Sequence, residues 1–273
     1  NIIKEKLLAS YPDTKKVSIL DLLDSKDEVI KEFGEYVYDK VFVHYTAKQW
    51  NIPIEQVDTS VINRVPVILG YDDRYFQDKY QFMPKNGYNE IFENMLSHKN
   101  IDIELQKDAK DLLEIKNNKI YVDGLEYKGE VIYSGALDEL LSYQYGALPY
   151  RSLNLEFTDY KENYYQPSSV VNYPNDEKFT RITEFKYLSN QIVKDNTTIL
   201  REYPLTYDYK NSKHIPYYAI LNDENKKLYE KYYSLVKDIK NFHLCGRLAE
   251  YKYYNMDAVI KRALELYREI KGE

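Results

Sequence analysis

The segment Gly246 to Met256, GRLAEYKYYNM, most constrains what this chain can fold into, because two different periodicities meet there. Before it, Phe242 to Cys245 is a short apolar run that reads as a buried strand. After it, Val259, Ile260, Ala263, Leu264 and Tyr267 repeat at helical spacing, so a helix is expected from about Met256. Glycine at such a junction lets backbone approach a ligand closely, and a helix start presents free N–H groups to an anion.

Upstream, the first hundred residues read mainly as helix. Asp27 to Val41 sets Val29, Ile30, Phe33, Val37 and Val41 on one face, and Asn86 to His98 does the same with Ile91, Phe92, Met95 and Leu96. Between them Asn51 to Pro66 includes a loop, with Arg64 just before Val65-Pro66. From Ile101 the period changes to two, through Ile103 and Leu105, and Ile120 to Val122 followed by Asp123-Gly124 reads as a hairpin. Further strands are expected at Val131–Tyr133, Leu153–Phe157, Ser169–Tyr173, Phe179–Phe185, Thr197–Glu202 and Tyr217–Leu221. Asn222 to Ile239 returns to helix, with Asn222 or Asp223 as N-cap.

Composition narrows the function classes. A net charge of −6 lacks the basic excess of a nucleic-acid surface, and no apolar run is long enough to span a bilayer. Asn1 opens into a charged helical stretch rather than a signal peptide, and the single cysteine, Cys245, fits a reducing, cytoplasmic setting. There is no GxGxxG, P-loop or GxSxG motif. His44, His98, His214 and His243 are scattered without metal-ligand spacing. Cys245 reads as a buried, inert thiol. Only eight of the 38 basic residues are arginines, so an arginine on a cleft invites a planar, bidentate anion contact. Tyrosine is abundant at 31 residues, which suits sugar and nucleotide contacts, although any one tyrosine is more often a core residue.

Seven segments stand in one order: YTAKQW (Tyr45 to Trp50), INRVPV (Ile62 to Val67), RYFQDKYQFMPKNGY (Arg74 to Tyr88), YRSL (Tyr150 to Leu153), FTRITE (Phe179 to Glu184), IPYYAI (Ile215 to Ile220) and GRLAEYKYYNM. Together they resemble the UDP-galactopyranose mutase family over nearly the whole chain. The resemblance implies a redox-neutral ring contraction, UDP-galactopyranose to UDP-galactofuranose, serving polysaccharide synthesis. In that family reduced FAD attacks the anomeric carbon through N5 as UDP leaves. The cofactor carries the chemistry and protein supplies grip and charge, consistent with the lack of a protein nucleophile.

The resemblance also distributes roles. Arg64 and Arg181 match two arginines that clamp the diphosphate, where negative charge develops on departure. Alternation places Arg181 on the face of Phe179, where a buried guanidinium needs an anionic partner. Tyr45 matches the uracil-stacking residue, Phe42 one turn earlier lines the same site, and Trp50 matches a residue near sugar and flavin. Tyr75, Tyr218 and Tyr253 match phosphate-holding tyrosines, with Tyr217 the alternative to Tyr218, and Asn172 matches an asparagine near the nucleotide. Gly246, Arg247, Tyr253, Asn255 and Met256 match the part that meets the flavin and its pyrophosphate. Asn255 departs from the family's usual aspartate, and Val41 from an aromatic in the uridine pocket. Asp58 to Pro66 is expected to be a lid that orders on the diphosphate.

The implied fold is a mixed α/β one: a helical subdomain (1–100), a β-rich return (101–135), a largely antiparallel sheet (136–221) and the remainder of a Rossmann-like FAD domain (222–273). The family opens with a βαβ unit whose glycine-rich turn holds the FAD pyrophosphate, and this sequence opens downstream of it. Full FAD binding is expected to need that unit, little activity is expected from this chain alone, and the uncovered surface is expected to be sticky. The expected small-molecule partners are UDP-galactose and UDP-galactofuranose, with no nucleic acid, no membrane span and no metal; a homodimer is left open. Alternatives are a silent UDP-sugar binding module, an amine-oxidase-like flavoprotein, or a plain structural domain. An amine has no diphosphate to clamp, and a structural domain leaves the ordered motifs unexplained.

Overall fold

The computed structural model of the protein describes residues 2–46, 48, 66–70, 74 and 78–273. It is a mixed helix-and-sheet fold whose chain divides into two compact units. One holds Asn1–Ile101 with Asn154–Pro204, the other Asp102–Leu153 with Leu205–Glu273.

In the first unit, short helices pack around Leu7, Val17, Ile19, Leu22, Ile30 and Phe42. The helix Glu28–Val37 starts where Asp27 accepts from the N–H groups of Val29 and Ile30, at 2.9 and 3.3 Å, and its face follows the expected apolar spacing. Gly34 lets this helix lie directly on Ile19–Leu23: a Cβ there would come 2.9 Å from Leu22 Cβ.

The helix does not run on to Val41 in α form. It widens into a π-helix over Tyr38–Thr46, which changes which side chains face inward. Phe42 is 3% exposed and stacks on Tyr38, whereas Val41, expected on the buried face, is 42% exposed. The helix Tyr88–Leu96 forms within the expected span, with Phe92 and Met95 exposed.

The same unit carries an antiparallel set of strands. Val170–Asn172 pairs with Arg181–Glu184, which pairs with Thr197–Thr206. Ile182 and Ile199 fill its buried side. Glu184 is fully buried, and its carboxylate accepts from the N–H groups of Tyr165 and Gln166 and from the Thr197 hydroxyl, so its desolvation is compensated.

In the second unit, Leu113–Lys116, Lys119–Val122 and Leu125–Glu126 form an antiparallel meander. Its Asp123-Gly124 turn has positive φ at both residues (51° and 78°), as an Asp-Gly hairpin requires. The preceding alternation at Ile101, Ile103 and Leu105 forms no strand and leaves these residues exposed, with no strand among the described residues paired to it. Val131–Tyr133 pairs in parallel with Phe242–Leu244, and Tyr218–Ala219 pairs antiparallel with Tyr150 and Arg151. Asn222 caps the helix Asp223–Tyr233, which gives way to tight turns before Ile239 rather than continuing to it.

Tyrosines build much of this core. Tyr150 meets Tyr207 and Tyr251 edge to face, and the Tyr232 and Tyr251 hydroxyls each donate to a backbone carbonyl at 2.6 Å. Cys245 is buried and its thiol is pushed up by burial, in keeping with an inert side chain. Among the described residues no helix is long and apolar enough to cross a membrane, and no cluster of His, Cys, Asp or Glu is placed to hold a metal.

Candidate functional site

Each unit gathers its own set of the expected site residues. In the first, the antiparallel register puts Asn172 directly opposite Arg181, and Arg181 directly opposite Glu202. Directly paired residues share a face of the sheet, so these three form a row across three strands. Tyr45, on the π-helix, donates its hydroxyl to Asn172 Oδ1 at 3.0 Å. Three residues expected to grip the nucleotide therefore lie together: an aromatic ring, an amide and a guanidinium.

Arg181 lies on the sheet face opposite the buried Ile182 and Ile199 rather than on the inward face that alternation suggested, yet it has an anionic neighbour there. Its Nε lies 3.3 Å from a Glu202 carboxylate oxygen, with both side chains largely shielded from solvent. A guanidinium is planar and carries five N–H donors, a geometry suited to oxyanions. Lys48, three residues after Tyr45, points into the turn between the Asn172 and Arg181 strands and donates to its backbone carbonyls. Sequence reasoning passed over Lys48, although it stands inside YTAKQW.

Phe42 lies in the hydrophobic core of this unit, so its ring is occupied by packing. Trp50, Arg64 and Tyr75 lie outside the described residues, as does the lid segment apart from Pro66.

The second unit brings Tyr218, Arg247 and Tyr253 together. The two rings stack with centroids 5.8 Å apart, and the Arg247 guanidinium lies 5.1 Å from one centroid and 4.9 Å from the other. Arg247 Nε donates to the Tyr254 carbonyl at 2.7 Å, which fixes the plane of the guanidinium. Arg151, buried at the start of its strand, places its guanidinium 4.9 Å from the Tyr218 ring. Arg151 was not singled out from sequence, where its only signal is its place in YRSL; the strand register pairs it with Tyr218. It is Tyr218, rather than Tyr217, that joins this cluster.

The glycine junction has the geometry its sequence suggests. Gly246 adopts φ +111°, and a Cβ there would have only Ser134 within 4 Å. Its N–H donates to Glu250, whose buried carboxylate also pairs with Arg262 at 3.0 Å. Asn255 stands at the N-cap of the sixteen-residue helix Met256–Lys271 without a side-chain capping bond, and Met256 is exposed. Open first-turn N–H groups beside a planar cation suit an anionic group. A separate cavity of about 450 Å³ in this unit, lined by Tyr233, Lys240, His243 and Arg262 among others, contains none of the expected site residues.

Comparison with known proteins points to the same family as the motifs. Residues 40–253 match the family model described as UDP-galactopyranose mutase. The chain is 34% identical over 264 residues to dTDP-fucopyranose mutase of Escherichia coli, covering 95% of this chain and 66% of the relative. It is 36% identical over 249 residues to a Klebsiella pneumoniae protein named "Probable UDP-galactopyranose mutase", covering 91% and 61%. It is 32% identical over 257 residues to UDP-galactopyranose mutase of Mycoplasma pneumoniae, covering 93% and 64%. The chain thus spans less than two thirds of the length of these relatives.

Proposed function

The chain belongs to the UDP-galactopyranose mutase family, and on that premise we propose that it serves the ring contraction of UDP-galactopyranose to UDP-galactofuranose with FAD as cofactor. The row of Tyr45, Asn172 and Arg181 is the observation that carries this proposal. Tyr45 offers its ring to the uracil face, Asn172 its amide to the nucleoside, and Arg181 its guanidinium to the diphosphate. Arg64 is assigned as the second arginine on that diphosphate.

Breaking the bond from sugar to phosphate leaves charge on UDP. A guanidinium already held in place by Glu202 meets that charge without having to reorganise. It keeps the leaving UDP oriented for its return to the anomeric carbon. Tyr218 and Tyr253 hold phosphate oxygens through their hydroxyls. Gly246, Arg247, Tyr253, Asn255 and Met256 would hold the flavin and its pyrophosphate, to which the open glycine backbone and free helix start are suited. Reduced FAD, when bound there, would supply the nucleophilic electron pair that the anomeric carbon requires. The single cysteine supports assigning this work to a reducing compartment such as the cytoplasm.

The Escherichia coli relative supports a second reading, in which the substrate is a dTDP-linked 6-deoxy sugar. The diphosphate clamp is common to both, while the base differs by one methyl group. Calorimetric titration with UDP, dTDP, UMP and uridine tests the proposal and separates the two. UDP is expected to bind best, and both diphosphates better than UMP or uridine. Tighter dTDP than UDP favours the second reading, and equal binding of UDP and uridine contradicts a diphosphate clamp.

A further inference from the structure

Lys48 carries an interaction that its position in the chain does not advertise. Its ammonium donates to the carbonyls of Asn175, Glu177 and Phe179 at 3.1, 2.9 and 3.3 Å, and also to that of Tyr173. These oxygens come from every second residue of one turn, so the backbone curls around a single nitrogen. An ammonium has three N–H donors, which the four oxygens share.

Convergent carbonyls repel one another and lose water as they approach. Here the Lys48 ammonium at their centre supplies the hydrogen bonds and positive charge that offset this cost. Burial lowers the Lys48 pKa, while the nearby Glu177 and Asp176 act the other way. The turn is closed at its neck by the Tyr173 N–H, which donates to the Thr180 carbonyl at 2.9 Å.

Both ends of this turn abut the nucleotide row. Asn172 immediately precedes Tyr173, and Arg181 follows Phe179 by two residues. Tyr45, three residues before Lys48, closes on Asn172. One ammonium therefore ties the segment carrying Tyr45 to the turn that spaces Asn172 from Arg181.

We infer that Lys48 is a positioning residue of the nucleotide site, its ammonium holding the Tyr173–Phe179 turn so that Asn172 and Arg181 present one fixed geometry to a nucleoside diphosphate. This rests on the nucleotide assignment proposed above. With its ammonium engaged by backbone carbonyls, Lys48 acts through the strands at the two ends of its turn. Substituting a lysine that merely stabilised the fold would lower the melting temperature without a selective effect on nucleotide affinity.

The test is titration of the chain with UDP, with amide hydrogen exchange read at Tyr173. Lys48→Met keeps the length of the side chain and removes its donors. Its Kd for UDP is expected to rise about tenfold or more, the scale of losing hydrogen bonds to a charged group. Exchange at Tyr173 is expected to quicken while amides of the Glu28–Val37 helix stay protected. In Lys48→Ala, ethylammonium is expected to restore UDP binding, whereas tetramethylammonium, which has no N–H, does not. Unchanged Kd with Tyr173 still protected overturns the inference. Should Lys48→Met fail to fold, Lys48→Arg decides: its planar head fits four convergent carbonyls poorly, so Kd rises, and an unchanged Kd overturns the role. If wild type binds neither UDP nor dTDP, the functional assignment falls and the positioning role with it. If wild type binds UDP and Lys48→Met binds equally well, only the Lys48 role falls.

Discussion

The Tyr45 hydroxyl donates to Asn172 Oδ1 at 3.0 Å, joining two residues 127 positions apart in the chain. Tyr45 thereby has its ring oriented by a side chain that also sits opposite Arg181 in the sheet. Tyr45→Phe keeps the ring and removes the tether, while Asn172→Ala removes both tether and amide. Each is expected to weaken UDP binding about three- to tenfold, on the scale of one hydrogen bond. The double variant should lose less than the product of the two, because the shared bond is counted once. Strictly multiplicative losses in a double-mutant cycle would show that the tether does not orient the ring.

Glu202 holds Arg181, but it also places a negative charge beside the incoming diphosphate. Glu202→Gln keeps an acceptor for the guanidinium and removes that charge. UDP affinity is expected to increase several-fold at low ionic strength, with the gain shrinking as salt screens it. A salt-independent change, or weaker binding at every salt concentration, would count against a diphosphate near Arg181.

At the glycine junction, Glu250 serves both the Gly246 N–H and Arg262. Arg262→Ala leaves a nearly buried carboxylate without its cation, with an expected loss of about 2–3 kcal/mol after allowing for the partly exposed arginine. Glu250→Gln, which can still accept from Gly246, should cost less. Urea denaturation midpoints check the order, and equal midpoints for Arg262→Ala and wild type would contradict it.

Asp138 is 1% exposed, and burial raises its carboxyl from 3.8 to about 6 even though the Leu148 N–H donates to it at 2.8 Å. Between these values the unfolded chain loses this proton while the folded chain keeps it. Stability therefore falls as pH rises from about 4 to 6 and levels off above, by an amount on the order of 2–3 kcal/mol. Asp138→Asn is expected to lack this component. Identical pH dependence of stability in the variant and wild type would rule it out.

Much of the local structure is legible where one residue type has one physical use. Asp123-Gly124 reads as a hairpin because both positions need positive φ, and Asn222 reads as a cap because its amide can accept the first free N–H groups. Legibility ends where the period changes. Assigning 3.6 residues per turn through Val41 turns it inward, while the wider turn of the π-helix buries Phe42 instead. The alternation at Ile101 to Leu105 shows that a period of two makes a strand only where a partner lies alongside. The approach of Tyr45 to Asn172 depends on long-range packing, and no spacing within either segment encodes it; the family resemblance pointed to both residues but not to their contact. Lys48 went unread because a lysine held by backbone carbonyls has no side-chain partner to search for in a sequence.

Arg181 carries the central claim, and its test is titration of wild type and Arg181→Ala with UDP and with uridine. Loss of the charge-assisted contacts to the diphosphate is expected to weaken UDP about ten- to a hundredfold. Uridine, which has no phosphate, should be nearly unaffected. Equal loss for both ligands would show that the substitution damages the site at large. An unchanged UDP affinity would contradict the assignment of Arg181 to the diphosphate.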